Sequence, residues 1–218
     1  YDRYPSEGDI LYYESTRGCP YRCSYCLSAL SHNVRAKSAD QTLNELKSFE
    51  ALGKKPRIIK FIDRTFNYDK ERAYRILRYI IGNDNRVTNF HFELCGDLID
   101  ERTIKLLKNA RKGLFQFEIG IQSMNPDTLR ACHRSENVYP VLYNTGRLIE
   151  GGNCHVHIDL IAGLPPHTAI ATNKLSSACG TTLATSLPLW ISMPGGVARA
   201  GCWPPYSKNW LGRIETKS

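Results

Sequence analysis

Gly18-Cys19-Pro20-Tyr21-Arg22-Cys23-Ser24-Tyr25-Cys26 follows closely on the apolar run Ile10-Leu11-Tyr12-Tyr13. Its three thiols have C-x3-C-x2-C spacing and cannot all pair with one another as disulfides. Three thiolates offered by one short loop make a metal or cluster site with one position left open, and an open position is where chemistry takes place. A zinc site normally takes four ligands, commonly two C-x2-C pairs or Cys with His, so its fourth here would be His32 or a distant Cys. A ferredoxin-type cluster wants four Cys, with C-x2-C-x2-C spacing. Neither pattern is present. Three ligands suit a 4Fe–4S cluster whose fourth iron binds a substrate or cofactor.

Outward from this loop the chain alternates. Residues 10–15 read as a strand. Ser38-Ala39-Asp40 offers helix N-caps before Leu43, Leu46, Phe49 and Leu52 at helical spacing, and Gly53 stops that helix. Residues 57–62 are rich in β-formers. Asn67-Tyr68-Asp69 caps a helix with Ala73, Ile76, Leu77 and Ile80 on one face. Asn89 to Leu94 is a strand, Asp100 caps a helix carrying Ile104, Leu106 and Leu107, and Leu114 to Ile121 is a strand. Asn125-Pro126-Asp127 opens a short helix, Val138 to Glu150 forms a longer one, and His155 to Ile161 is a strand ending at Gly163-Leu164-Pro165. Five alternations at about 30-residue spacing predict a parallel α/β architecture. In a barrel of this kind the site lies at the C-terminal ends of the strands. The Cys loop, Asp63, Glu93, Asp97, Gln122, Ser123 and Asp159 all fall at or near such ends. His91, His155 and His157 lie on strands and read as core residues rather than ligands.

The 218 residues carry a net charge of +8. The stretch 166–218, with Lys174, Arg199, Lys208, Arg213 and Lys217 against Glu215, supplies +4 of it. The rest is interleaved with acids, which favours a mixed solvated surface over a nucleic-acid one. Cys95, Cys132, Cys154, Cys179 and Cys202 are scattered singly and read as small buried hydrophobes of a reducing compartment. No apolar run is long enough to span a bilayer, and no signal peptide is seen. A soluble, cytoplasmic protein without a membrane partner is the expectation.

With its aromatic before the last Cys, the C-x3-C-x2-C loop resembles that of the radical S-adenosylmethionine (SAM) superfamily. Phe61-Ile62-Asp63-Arg64-Thr65-Phe66-Asn67 is similar to the second-strand motif of the cobalamin-binding branch, where other members carry a Gly-Gly-Glu turn. Glu118-Ile119-Gly120-Ile121-Gln122-Ser123 resembles the fourth-strand motif. Ile158-Asp159-Leu160-Ile161-Ala162-Gly163-Leu164-Pro165 resembles the fifth-strand motif of coproporphyrinogen-oxidase-like and methylthiotransferase-like members. The resemblance implies a partial (β/α)6 TIM-like barrel and a cluster on Cys19, Cys23 and Cys26. It further implies that SAM chelates the open iron through its amino and carboxylate groups. Tyr25, Asp63, Thr65, Gln122, Ser123, Asp159 and Gly163 are the SAM contacts so implied. The reaction implied is reductive cleavage of SAM to methionine and a 5′-deoxyadenosyl radical, followed by hydrogen abstraction or radical methyl transfer. The substrate class is open, with a small molecule expected. A flavodoxin- or ferredoxin-type electron donor is implied, as is cobalamin carried by an upstream domain that these residues do not include.

The domain reading is a radical SAM core over 1–165, with the cluster loop at 16–30, and an irregular tail over 166–218. A six-stranded partial barrel needs a further helix, strand and helix after Pro165, and the tail lacks their pattern. The barrel is therefore expected to be incomplete at its C-terminus, and a reading-frame shift near Pro166 would account for it. An RNA-modifying methylthiotransferase-like enzyme, a zinc-binding module and an inactive fragment are the alternative readings.

Overall fold

The computed structural model describes residues 10–30, 33–51, 56–161, 164, 189–193 and 196–199. The chain divides into two compact units, Tyr1–Gly120 with Asn137–Val156, and Ile121–Glu136 with His157–Ser218. Its strands are β1 (Ile10–Tyr13), β2 (Thr16–Arg17), β3 (Arg35–Ala36), β4 (Ile58–Phe61), β5 (Asn89–Leu94), β6 (Phe115–Gln122), β7 (His155–Ile161), β8 (Leu189–Met193) and β9 (Gly196–Arg199). Its helices are α1 (Ala39–Ala51), α2 (Lys70–Gly82), α3 (Glu101–Leu107), α4 (Pro126–Ala131) and α5 (Tyr139–Glu150).

In the first unit β1, β4, β5 and β6 pair in that order, all parallel. The connections are crossovers carrying α1, α2 and α3, as parallel pairing requires. Local chemistry starts the helices where the sequence predicts. The Asp69 carboxylate accepts the Arg72 N–H at 3.0 Å and the Asp100 carboxylate accepts the Thr103 N–H at 2.8 Å, each satisfying a free donor of the first turn. Ala73, Ile76, Leu77 and Ile80 then bury one stripe of α2. Leu52 and Gly53, the expected end of α1, lie outside the described residues.

Alternation along the strands sorts the side chains onto two faces. Leu11 and Tyr13, Ile59 and Phe61, Phe92 and Leu94, and Phe115, Phe117 and Ile119 are buried. Their aromatic rings interlock, with Tyr13–Phe61 centroids 4.9 Å apart edge to face, Phe61–Phe92 at 4.5 Å and Phe66–Phe92 at 4.3 Å. Full burial of each such ring contributes about 1.5–3 kcal/mol. The intervening positions are polar: Lys60, His91, Glu93 and Glu118. One face of this sheet is therefore core, and the other carries charge.

In the second unit β7 pairs in parallel with β8, and β8 in antiparallel with β9. α4 begins at Asn125, whose side-chain oxygen accepts the Thr128 N–H at 3.1 Å, with Pro126 in the first turn. The expected irregular tail thus holds two strands. The run Leu189-Trp190-Ile191 supplies the branched and aromatic residues that strands favour. The remaining tail residues, Gly163 and the proposed frame shift near Pro166 lie outside the described residues. Among the described residues no helix is long and apolar enough to cross a membrane.

Candidate functional site

The thiol loop is closed at its neck. β2 and β3 pair in antiparallel with Thr16 opposite Ala36 and Arg17 opposite Arg35, and the Lys37 N–H bonds the Ser15 carbonyl at 3.0 Å. Gly18 sits at φ +94°, where a Cβ would come within 2.6 Å of the Asn33 carbonyl oxygen. Only glycine lets the two arms approach this closely in that conformation. Within the loop the Cys26 N–H bonds the Cys23 carbonyl at 3.1 Å, and the Ala29 N–H the Cys26 carbonyl at 3.0 Å, leading into a 3-10 turn over Leu27–Leu30. Cys23 is buried, Cys19 and Cys26 are half-buried, and all three are free thiols. Among the described residues no three or more His, Cys, Asp or Glu side chains gather as the shell of a single metal ion.

Asp63, at the end of β4, is fully buried. Its carboxylate accepts the backbone N–H of Ser15 at 2.7 Å and of Thr16 at 2.9 Å, and the Ser15 hydroxyl as well. The same hydroxyl accepts from Arg72 Nη2 at 2.6 Å, and Arg72 Nε donates to the Lys37 carbonyl at 2.8 Å. Asp63, Ser15 and Arg72 thus form a buried chain of hydrogen bonds through the Ser15 hydroxyl, beneath both arms of the neck. The motif reading placed Asp63 against SAM; in this structure its oxygens face the loop's own backbone. Thr65 does stand beside a thiol: its Oγ1 lies 3.5 Å from Cys19 Sγ and donates to the Arg64 carbonyl at 2.8 Å. Asn67, expected as part of a cap, instead exchanges two 2.9 Å bonds with the backbone of Cys95. That pair ties the loop after β4 to the end of β5.

The polar face of the sheet gathers Glu118 of the fourth-strand motif and Glu93 of the strand ends with His91 and Lys60, a grouping that no motif announced. Glu118 Oε1 lies 2.9 Å from His91 Nε2, off the line that a hydrogen bond needs, and 3.6 Å from Lys60 Nζ. Burial pushes the Glu93 carboxyl above the usual Glu range; Arg64, 3.8 Å away, opposes this and Glu118 adds to it. The i,i+2 alternation of polar residues inside β5 and β6 was the signal that could have found this group. Cys95 corrects the reading of single Cys as apolar filler: its Sγ lies 3.1 Å from the Tyr21 hydroxyl and 2.8 Å from Asp97 Oδ1. Cys132 is fully buried, and burial pushes the Cys154 thiol up to about 12, as apolar filler should behave. Tyr25 is half-buried on the thiol loop.

In the second unit Gln122 ends β6 at φ +69°, a left-handed conformation uncommon for a side chain with a Cβ and concentrated at functional sites. Ser123 is fully buried and its hydroxyl accepts the Asn125 N–H at 3.1 Å, so it helps begin α4. Asp159 is half-buried on β7. Gly163 lies outside the described residues.

The chain is 26% identical over 166 residues to the hopanoid C-2 methylase of Rhodopseudomonas palustris, covering 74% of this chain and 31% of that one. It is 25% identical over 126 residues to the bacteriochlorophyllide d C-12(1)-methyltransferase of Chlorobaculum tepidum, covering 56% of this chain and 27% of that one. The chain therefore spans under a third of the length of these curated relatives. Its fold superposes on the radical S-adenosylmethionine methyltransferase TsrM of Kitasatospora setae, solved with cobalamin and a [4Fe-4S] cluster, with a TM-score of 0.68 and 21% identity. That superposition covers 85% of this chain and 37% of that one. The model of the radical SAM superfamily matches residues 13–174, from the last residue of β1 through the thiol loop to beyond β7, and the chain belongs to that superfamily of enzymes, whose cofactors are a 4Fe–4S cluster and SAM.

Proposed function

We propose that Cys19, Cys23 and Cys26 hold a 4Fe–4S cluster with SAM at its open iron, and that the chain is the radical core of a cobalamin-dependent methyltransferase. The observation that carries this reading is the closed thiol loop, three free thiols on one excursion whose neck is fixed by Gly18 and by Asp63 beneath it. The donor set fits the group. An all-sulfur set of three suits a thiolate-loving iron–sulfur cluster better than zinc, which takes four donors in structural sites.

When bound at Cys19, Cys23 and Cys26, the cluster would supply the single electron that reductive cleavage of SAM requires. The chain's own residues bind and orient. Asp63, through Ser15 and Thr16, fixes the backbone from which Cys19 projects. Thr65 places a hydroxyl at the Cys19 sulfur. Tyr25, Gln122, Ser123, Asp159 and Gly163 are assigned to SAM on their motifs, and the left-handed Gln122 is the strained member of that set. Radical methylation of a small molecule is carried over from the two methylase relatives, with cobalamin supplied by a part of the protein outside these residues.

Anaerobic reconstitution with iron and sulfide tests the reading. About four irons per chain and an EPR signal of the reduced protein that changes on adding SAM are expected. A colourless protein holding one zinc and no iron would sink it.

A further inference from the structure

Tyr21 lies between Cys19 and Cys23 in the thiol loop, and its hydroxyl is 3.1 Å from the sulfur of Cys95, 74 residues further along the chain. The same sulfur is 2.8 Å from Asp97 Oδ1. A thiol has one hydrogen and a carboxylate only accepts, so that hydrogen goes to Asp97 and the sulfur is left to accept the Tyr21 hydroxyl. The segment that carries Cys95 is itself held fast. Asn67, which is buried, exchanges two 2.9 Å bonds with the Cys95 backbone. Asn144 Nδ2 donates to the Gly96 carbonyl at 2.9 Å. A Cβ on Gly96 would come within 2.7 Å of Val141 Cγ1 and 3.1 Å of Ile119 Cγ2, so α5 and β6 close on this segment without a gap. Closing the neck fixes the two ends of the thiol loop, and the span between them is only as rigid as its own contacts.

We propose that Cys95 is a positioning residue for the thiol loop: it holds Tyr21, and through it the arc from Cys19 to Cys23, against the end of β5. The proposal rests on the reading that the three thiols hold a cluster. A ligand set works only when its members are held within about 0.5 Å of their working places by neighbours that are themselves locked. Asp97 orients the Cys95 thiol, the thiol orients the Tyr21 hydroxyl, and Tyr21 carries the backbone between two ligands. Groups behind metal ligands set both the affinity of a site and its electronic character. Cys95 is not itself a ligand in this arrangement, because its hydrogen and its lone pair are both engaged. Nor is it packing alone. Cys132, the apolar filler, is fully buried, whereas Cys95 is half-buried between a phenol and a carboxylate.

The test is anaerobic reconstitution with iron and sulfide, then iron loss to an added chelator, EPR of the reduced protein with and without SAM, and the thermal melt of each apo chain. Tyr21→Phe and Cys95→Ala should each lose iron about threefold or more faster than wild type and alter the SAM-responsive EPR signal. The double variant should lose iron no faster than the quicker single variant, since both changes remove one tie. Cys95→Ser, whose hydroxyl donates to Asp97 and accepts from Tyr21, should recover most of the wild-type rate. All apo chains should melt within about 3 °C of wild type, as loss of a single hydrogen bond allows. Iron loss at the wild-type rate in Tyr21→Phe and Cys95→Ala would overturn the proposal. So would effects that multiply in the double variant, or a fall of the apo melts large enough to account for the iron loss. A wild-type chain that takes up no iron would overturn the cluster reading and this proposal with it, whereas iron held equally by wild type and variants would overturn this proposal alone.

Discussion

Replacing Asp63 by Ala removes the acceptor beneath the thiol loop. The carboxylate is fully buried and takes three donors, two of them backbone N–H groups of Ser15 and Thr16 that have their acceptor there. A buried donor left without a partner costs about 1–3 kcal/mol. Three donors lose that acceptor at once, so we expect Asp63→Ala to destabilise the chain by at least about 3 kcal/mol. For a chain of this size that lowers Tm by about 6 °C or more, at roughly 2–4 °C per kcal/mol. Calorimetry on the apo chain measures it free of any cluster. Arg72→Met in the Asp63→Ala background should recover part of the loss by removing the stranded guanidinium, which is 6% exposed. A Tm drop below about 4 °C for Asp63→Ala, which corresponds to about 1–2 kcal/mol, would refute this account. So would a double variant no more stable than Asp63→Ala. Asp63 would then be open to SAM as its motif suggests.

Gly18→Ala should strain the neck through both its left-handed φ and the Asn33 carbonyl, costing at least about 1–2 kcal/mol and reducing iron uptake; unchanged iron content and Tm would contradict this. Any of Cys19→Ala, Cys23→Ala and Cys26→Ala should abolish the SAM-responsive EPR signal, whereas Cys154→Ala should leave it intact, since burial keeps that thiol protonated. Glu93 has its carboxyl raised, chiefly by burial. Its contribution to stability is present below the ordinary Glu range and is lost as pH rises through the raised value. At neutral pH Glu93→Gln should therefore melt higher than wild type by a few degrees, and the advantage should vanish in acid; a pH-independent difference would be inconsistent with that cause.

The thiol set and the element order were legible in the sequence because both are local. Three Cys within eight positions define a ligand set without knowledge of anything else in the chain. Asp69, Asp100 and Asn125 cap their helices through N–H groups three residues on, so their roles can be read from neighbours alone. Hydrophobic spacing in α2 and alternation in β6 report burial in the same local way. Asp63, Asn67 and Cys95 were read differently because their partners are remote. Ser15 is 48 residues from Asp63, and Cys95 is 28 from Asn67. The parallel register of β1 with β4 brings the first pair together, and that of β4 with β5 the second. The Arg17–Arg35 pair likewise exists only because the hairpin closes. A sequence fixes which groups are available, but which of two polar groups turns toward a loop, a ligand or solvent is decided by burial. A buried carboxylate must be satisfied, and only the folded chain brings it the N–H groups that do so.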